Sequence, residues 1–362
     1  MSLDAFRGLA IAGMIVVNTP GNRRAYPLLA HADWNGCTFA DLVFPFFLFI
    51  VGVSIPHSLS RRASGEEGPP RLCVGIFRRA ALIFGLGLLG NVMFSGRGAT
   101  FRFPGVLQRI AVCYCAAALL FVATSLWAQG ALAALLLAGY WLAMTRVSVP
   151  GCGPGVLTPA CNLAFRIDRR VLRGHLYQPG LGDPEGLLST LPALSTTLLG
   201  ILAGAWLRSQ RAPERKVAGM LAAGGAGLAA GLAWARAFPV NKALWTGSYV
   251  LLTAGLALWL LALCYWLIEI KGYRAWARPL EVFGVNAIAA YALPIFLLKM
   301  LVFWKLPGSE GPRTQLRVYL CDRLFGGWLS PLNASLAFAL SYTLLWLCFF
   351  WILYRKRIFI KL

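Results

Sequence analysis

Apolar residues gather in ten long runs, at residues 5–19, 38–58, 80–95, 105–125, 129–146, 187–207, 217–236, 247–269, 280–303 and 332–353. Each run approaches the ~20 residues that carry a helix across the hydrocarbon core of a bilayer. Backbone N–H and C=O groups surrounded by lipid must bond within their own segment, so the runs are read as helices. The pattern predicts an all-α, polytopic membrane protein of about ten transmembrane helices in one bundle. No polar stretch is long enough for a separate soluble domain, so residues 1–362 are read as one domain. The first run lacks a basic leader and a small-residue cleavage site, and is read as a retained helix. The run at 217–236 is rich in Gly and Ala, which suits close helix packing in lipid.

The segments between the runs differ in character. Residues 20–37 open with Pro20-Gly21 and carry Pro27. A basic, Gly/Pro-rich loop from Arg61 to Arg79 includes GEEGPP, and a longer one at 147–186 contains GCGPG, FRIDRRVLRGHLY and GDPEG. RSQRAPERK, FPVNKALWT and KGYRAWARP are short connections, and KLPGSEGPRTQLRVYLCDRLFGG is read as an interfacial stretch.

Composition supports the membrane reading. The chain is 59% hydrophobic and 13% charged, against about 25% charged for a soluble domain. The net charge of +21 does not indicate nucleic acid, because Lys and Arg sit mostly between the runs, where topology and anionic lipid head groups favour them. Arg61, Arg62, Arg71, Arg78, Arg79, Arg208, Arg211, Arg215, Lys216, Lys271, Arg274, Arg278, Arg355, Lys356, Arg357 and Lys361 mark one side. The alternate short loops carry fewer cations: Arg23, Arg24, Arg97, Arg102, Arg236 and Lys242. The positive-inside rule makes the first side cytoplasmic, with both termini there. Three chemically rich loops, 20–37, 147–186 and FPVNKALWT, then share the outer face.

The first of these loops is the expected catalytic segment. It holds His31, Asp33, Trp34 and Asn35, with Asn18 just before it and Asp41 just after it. Histidine suits proton transfer near neutrality, and a carboxylate such as Asp33 or Asp41 can orient its ring. His57 falls at the cytoplasmic end of the second run, while His175 is on the outer side and is the alternative. Asn18 reads either as a helix-end hydrogen-bonding group or as a donor to a developing oxyanion. Arg109, beside Gln108 in an apolar run, is costly unless paired or lining a polar cavity. It reads as a salt-bridge partner or as a phosphate ligand for a nucleotide-like cofactor; Arg78 and Arg79, at the cytoplasmic start of the third run, read as further phosphate ligands or as cations that topology alone accounts for. Asp183 and Glu185 are either helix-start residues or ligands for an ammonium group. Lys242 and Trp245 are candidate substrate contacts, Trp245 alternatively belonging to an interfacial aromatic belt. Cys152 and Cys161 share one loop and can pair if that loop is outside the cell. No metal-ligand spacing stands out.

Six ordered stretches carry a resemblance: SLDAFRGLAIAGMIVVN-x-PG, HADWNGCTFADLVFPFFLFIVGVSI, FPGVLQRIAVCY, DPEGLLST, FPVNKALWTGSYVL and PLEVFGVNAIAAY. Together they resemble the heparan-α-glucosaminide N-acetyltransferase family and its bacterial homologues, within the transmembrane acyltransferases. The resemblance implies transfer of an acetyl group from cytosolic acetyl-CoA to an amino sugar across the membrane. It also implies His31 as the catalytic histidine, Asn18 as its active-site partner, and a homodimer. Lysosomal members carry an additional amino-terminal helix and lumenal domain, whose absence is expected to mark a bacterial homologue in a cell inner membrane. Under this reading Arg109, Gln108 and the cytoplasmic arginines hold the CoA phosphates, and no metal takes part. Trp34, Asn35, His175, Asp183, Glu185, Lys242 and Trp245 are the expected acceptor contacts. An O-acyltransferase of cell-wall sugars and a sugar or lipid-linked-sugar transporter are the alternatives.

Overall fold

A computed structural model describes residues 1–22, 24–63, 69–95, 101–177, 180–306 and 314–360. Arg23, Arg97, Lys361 and the GEEG of GEEGPP, used above for orientation and loop placement, lie outside the described residues. The chain forms two compact units: Met1–His31 with Thr38–Val43 and Cys264–Leu362, and Ala32–Cys37 with Phe44–Leu263.

Thirteen α-helices are present among the described residues. They are α1 Ser2–Asn18, α2 Phe39–Ala63, α3 Pro69–Met93, α4 Val106–Ala123, α5 Leu126–Arg146, α6 Leu163–Val171, α7 Thr190–Arg208, α8 Pro213–Trp234, α9 Gly247–Tyr265, α10 Arg278–Val285, α11 Ala287–Phe303, α12 Leu316–Cys321 and α13 Pro331–Arg355. Eight are long and apolar enough to cross a membrane, and a ninth span arises if α10 and α11 count as one. The 17-residue α1 sits at the short end of the ~17–25 residues that span a bilayer. The all-α polytopic class is therefore found.

In the first unit α1 packs along α10, with α13 against both. The two backbones approach closely: a Cβ on Gly8 would meet the Leu280 carbonyl oxygen at 1.8 Å. In the second unit α3 pairs with α4, and α7 packs on α4 and α5. Here a Cβ on Gly52 of α2 would lie 2.0 Å from the Thr197 oxygen of α7, the small-residue contact by which helices associate in lipid. Ile55, Ile76, Tyr114, Ala117, Leu198 and Ile201 form a buried cluster in this unit.

Three elements differ from the sequence reading. First, the loop expected up to Arg79 is helical from Pro69, so Arg71, Arg78 and Arg79 belong to α3. Leu72, Ile76 and Ala80 are buried at four-residue spacing, which makes the extension an amphipathic turn rather than a break. Second, the basic stretch of the 147–186 loop contains α6, started by Asn162, whose side chain accepts from Phe165 N at 2.8 Å, a helix cap. Third, the run at 280–303 bends by 85° between α10 and α11. Asn286, fully buried at the break, accepts from Ile360 N at 2.8 Å through Oδ1.

Candidate functional site

In the first unit, Thr38 and Asp41 open α2. Asp41 Oδ2 accepts from Thr38 N at 3.1 Å and lies 3.0 Å from the Thr38 hydroxyl. A carboxylate three residues into a helix that accepts from the N–H of the residue before it is one half of a capping box, and the helix N-terminus favours its negative charge. That hydroxyl also lies 2.7 Å from Ala30 O, so the cap ties the end of the 20–37 loop to the start of the helix. The other Asp41 oxygen, Oδ1, lies 2.8 Å from His31 Nδ1. Asp41 is 1% exposed and the His31 side chain 49%. Asp41 thus faces the Thr38 backbone with one oxygen and the imidazole with the other; in the tautomer with the proton on Nδ1, His31 donates to Asp41. The pair has the geometry of an imidazole oriented by a carboxylate. Asn18 is the last residue of α1 and is exposed, as is Asp33.

In the second unit, Trp34 donates from Nε1 to Leu157 O at 2.8 Å and packs edge-on against Phe165, with ring centroids 5.7 Å apart. Leu157 lies in the loop closed by a disulfide between Cys152 and Cys161. Asn241 is the residue that sequence reasoning missed. It is 1% exposed and its Nδ2 donates to Trp34 O at 2.9 Å and to Asn35 Oδ1 at 3.1 Å. Gly36 N donates to Val240 O at 2.8 Å. The 239–246 loop therefore clamps residues 34–36. The available signal was an amide in FPVNKALWT, a motif in which Lys242 and Trp245 drew attention instead.

Trp245 is buried, with φ of 51°, a left-handed conformation that costs a bulky residue of order 1–3 kcal/mol. Its Nε1 donates to Thr196 Oγ1 at 3.1 Å, and its ring meets Phe44 and Tyr249 edge-on. It is a core residue here rather than one of an interfacial belt. Lys242 is half-buried, and its carbonyl accepts from Trp245 N at 3.1 Å.

Arg109 lies over the Trp245 ring, 5.1 Å from its centroid. Nη2 donates to Gly186 O at 3.1 Å and to Ser189 Oγ at 2.5 Å, while Nε and Nη1, although buried, have no partner among the described residues. Gln108 Nε2 and Arg79 Nε share that condition. Arg79 sits over Tyr114, 5.1 Å from its centroid, whereas Arg78 is exposed. Four buried donors without acceptors thus fall on three of the four residues expected to hold a phosphate-bearing cofactor. Each costs about 1–3 kcal/mol while unmet, which acceptor oxygens of a ligand would recover.

Asp183 and Glu185 are engaged elsewhere. Arg102 holds Asp183 in a two-pronged contact, Nε to Oδ2 at 2.8 Å and Nη2 to Oδ1 at 2.5 Å, and also reaches Glu185. Burial opposes the Arg102 charge, but the hydrogen bond to Asp183 and the charges of Glu185 and Asp183 outweigh it and raise its pKa. His175 Nδ1 lies 2.8 Å from Phe101 O and its ring packs on Phe101. These residues knit the segment before α4 to the 175–186 segment.

Asp168 of α6 is 1% exposed and accepts from Leu187 N at 2.9 Å. Burial lifts its pKa from 3.8 to about 6, against the Leu187 hydrogen bond. The folded protein therefore binds a proton that the unfolded chain releases between these values, and stability falls as pH rises from about 4 to about 6, by about 3 kcal/mol. Thermal unfolding of the purified protein at pH 4 and pH 7 should show this loss, and Asp168→Asn should flatten it. A wild-type profile already flat over that range would contradict it.

Comparison with known proteins shows two kinds of likeness. The family profile described as heparan-alpha-glucosaminide N-acetyltransferase, catalytic, matches residues 1–235. Two curated relatives carry the name heparan-alpha-glucosaminide N-acetyltransferase. The human protein is 30% identical over all of this chain and 59% of its own length, and the mouse protein 29% identical over 99% of this chain and 60% of its own. The chain thus spans about three-fifths of the length of these relatives.

Proposed function

Because the chain belongs to the heparan-α-glucosaminide N-acetyltransferase catalytic family, we propose that it moves an acetyl group from cytosolic acetyl-CoA to the amino group of a glucosamine-type sugar across the membrane. The observation that carries this reading is the His31–Asp41 pair, a half-exposed imidazole held by a buried carboxylate at the end of a helix. The acceptor amine is largely ammonium at neutral pH and must lose a proton before it attacks. His31 Nε2 takes that proton, and Asp41 stabilises the imidazolium that forms. The amine nitrogen bonds to the thioester carbon, and the oxygen of the tetrahedral species takes the charge. Asn18 and backbone N–H groups are the donors proposed for it. Collapse breaks the C–S bond, the imidazolium returns its proton to the departing thiolate, and the nitrogen's remaining extra proton leaves to solvent, so that the amide, the thiol and one proton are released.

The same geometry serves a two-step route in which Nε2 is acetylated first and the amine attacks second. Arg109, Gln108 and Arg79 are proposed to meet the donor's phosphate and carbonyl oxygens, supported by their unmet buried N–H groups. Asp33, Trp34, Asn35 and Lys242 are the remaining candidates for acceptor contacts. The setting proposed is a cell inner membrane, with the 20–37 loop outside, in a homodimer. The test is turnover of acetyl-CoA by purified protein in nanodiscs with glucosamine as acceptor. Formation of N-acetylglucosamine supports the reading. Acetyl-CoA binding with transfer only to a sugar hydroxyl would replace it with an O-acyltransferase, and failure to bind acetyl-CoA would remove it.

A further inference from the structure

A groove of about 420 Å³ lies in the second unit where α2, α4 and α7 end and α5 begins. It is lined by Pro56, Phe121 and Leu126 on its apolar side and by Ser60, Ser125 and Arg208 among its polar groups. This is the end of the helices that the charge pattern predicts to be cytoplasmic. Three features point to a ligand. Arg208 holds itself in the wall by donating Nη1 to Pro56 O, which leaves guanidinium donors for a second acceptor. The 21-residue α5 starts there behind its Ser125 cap, so its first N–H groups favour an anion. Gln129 lines the groove at 1% exposure. Its Nε2 is engaged with the Leu120 and Thr124 carbonyls, while its Oε1 has no partner.

We propose that this groove binds a phosphate-bearing head group. Arg208 and the start of α5 take the phosphate, Gln129 Oε1 accepts an N–H or O–H of the same ligand, and Phe121 and Leu126 cover its apolar part. Two molecules carry that chemistry to this end of a membrane protein: an anionic phospholipid, and the nucleotide end of a CoA thioester. The second arm rests on the acetyltransferase reading.

The test compares wild type with Arg208→Gln and Arg208→Lys, using coenzyme A, phosphate-free pantetheine, and nanodiscs of phosphatidylglycerol, with thermal unfolding as a check on folding. A tenfold or greater loss of coenzyme A binding in Arg208→Gln, with pantetheine binding unchanged, assigns the nucleotide. A comparable loss of retained phosphatidylglycerol, with coenzyme A binding unchanged, assigns the lipid. Arg208→Lys, which keeps the charge and folds if the glutamine variant does not, should lose less of the affected ligand than Arg208→Gln, and should fall below wild type. Equal binding of both phosphate probes by wild type and the Arg208 variants overturns the proposal while leaving the acetyltransferase reading intact. Absence of coenzyme A binding by wild type, with phosphatidylglycerol retention still dependent on Arg208, removes the donor reading and keeps the groove.

Discussion

His31→Ala should lower acetyl transfer from acetyl-CoA to glucosamine by about 10²–10⁴-fold, the range a positioned general base supplies, with little change in acetyl-CoA binding. The imidazole is half-exposed and its removal opens no core cavity, so the folded population should persist. Asp41→Asn is the sharper companion. An amide in place of the carboxylate presents one oxygen and one NH₂, so it cannot both accept from the Thr38 backbone and hold His31 in the same tautomer. It should lose most of the same activity while retaining the imidazole, through the wrong tautomer rather than a missing base. Turnover in His31→Ala within a factor of three of wild type would move the proton-accepting role away from this loop.

Arg102→Ala should carry a large stability cost in the segments that join α4 to the 175–186 stretch. Its side chain is 23% exposed, and Asp183 beneath it is fully buried. Removing the guanidinium leaves a buried carboxylate with, among the described residues, the Tyr177 and Glu185 N–H groups to satisfy it. Breaking a buried pair from one side costs about 3–5 kcal/mol. The double variant Arg102→Ala/Asp183→Asn should recover part of that loss, because the uncompensated charge goes with the second substitution. Chemical unfolding in detergent, with limited proteolysis of the 147–186 segment, reads both effects. A cost below about 1 kcal/mol would mean that solvent screens the pair as it screens surface bridges.

The spans were legible because lipid imposes a length and an apolar composition on each helix. The departures occur where that rule is silent. The first turns of α3 bury one stripe and expose arginines on the other, so the charges interrupt the apolar run without ending the helix. The bend falls at Asn286, which takes a long-range bond from Ile360 that no local pattern announces. His31 and Asp41 were legible as chemistry in a short window, and their spacing across the start of α2 made contact geometrically available. Asp183 and Glu185 read equally well as ligands for an ammonium group, because Arg102 lies 81 residues from Asp183 and its pairing is a product of folding. The clamp by Asn241 was hidden for the same reason, with 207 residues between it and Trp34.

Asp41 serves helix and histidine with different oxygens of one carboxylate, and this constrains how the protein can vary. A substitution scan scored by protein abundance would mark position 41 as structural, and one scored by acetylation would mark it as catalytic. Neither result at that position alone could be apportioned. Thr38 offers the separation: Thr38→Val or Thr38→Ala keeps the backbone N–H for Asp41 Oδ2 but removes the hydroxyl that lies against Ala30 O and Asp41 Oδ2, while Asp41 Oδ1 remains available to His31. Under the proposed mechanism, position 38 tolerates exchange in a way that position 41 does not, and at the first turn of α2 the requirements of folding and of chemistry fall on the same atoms.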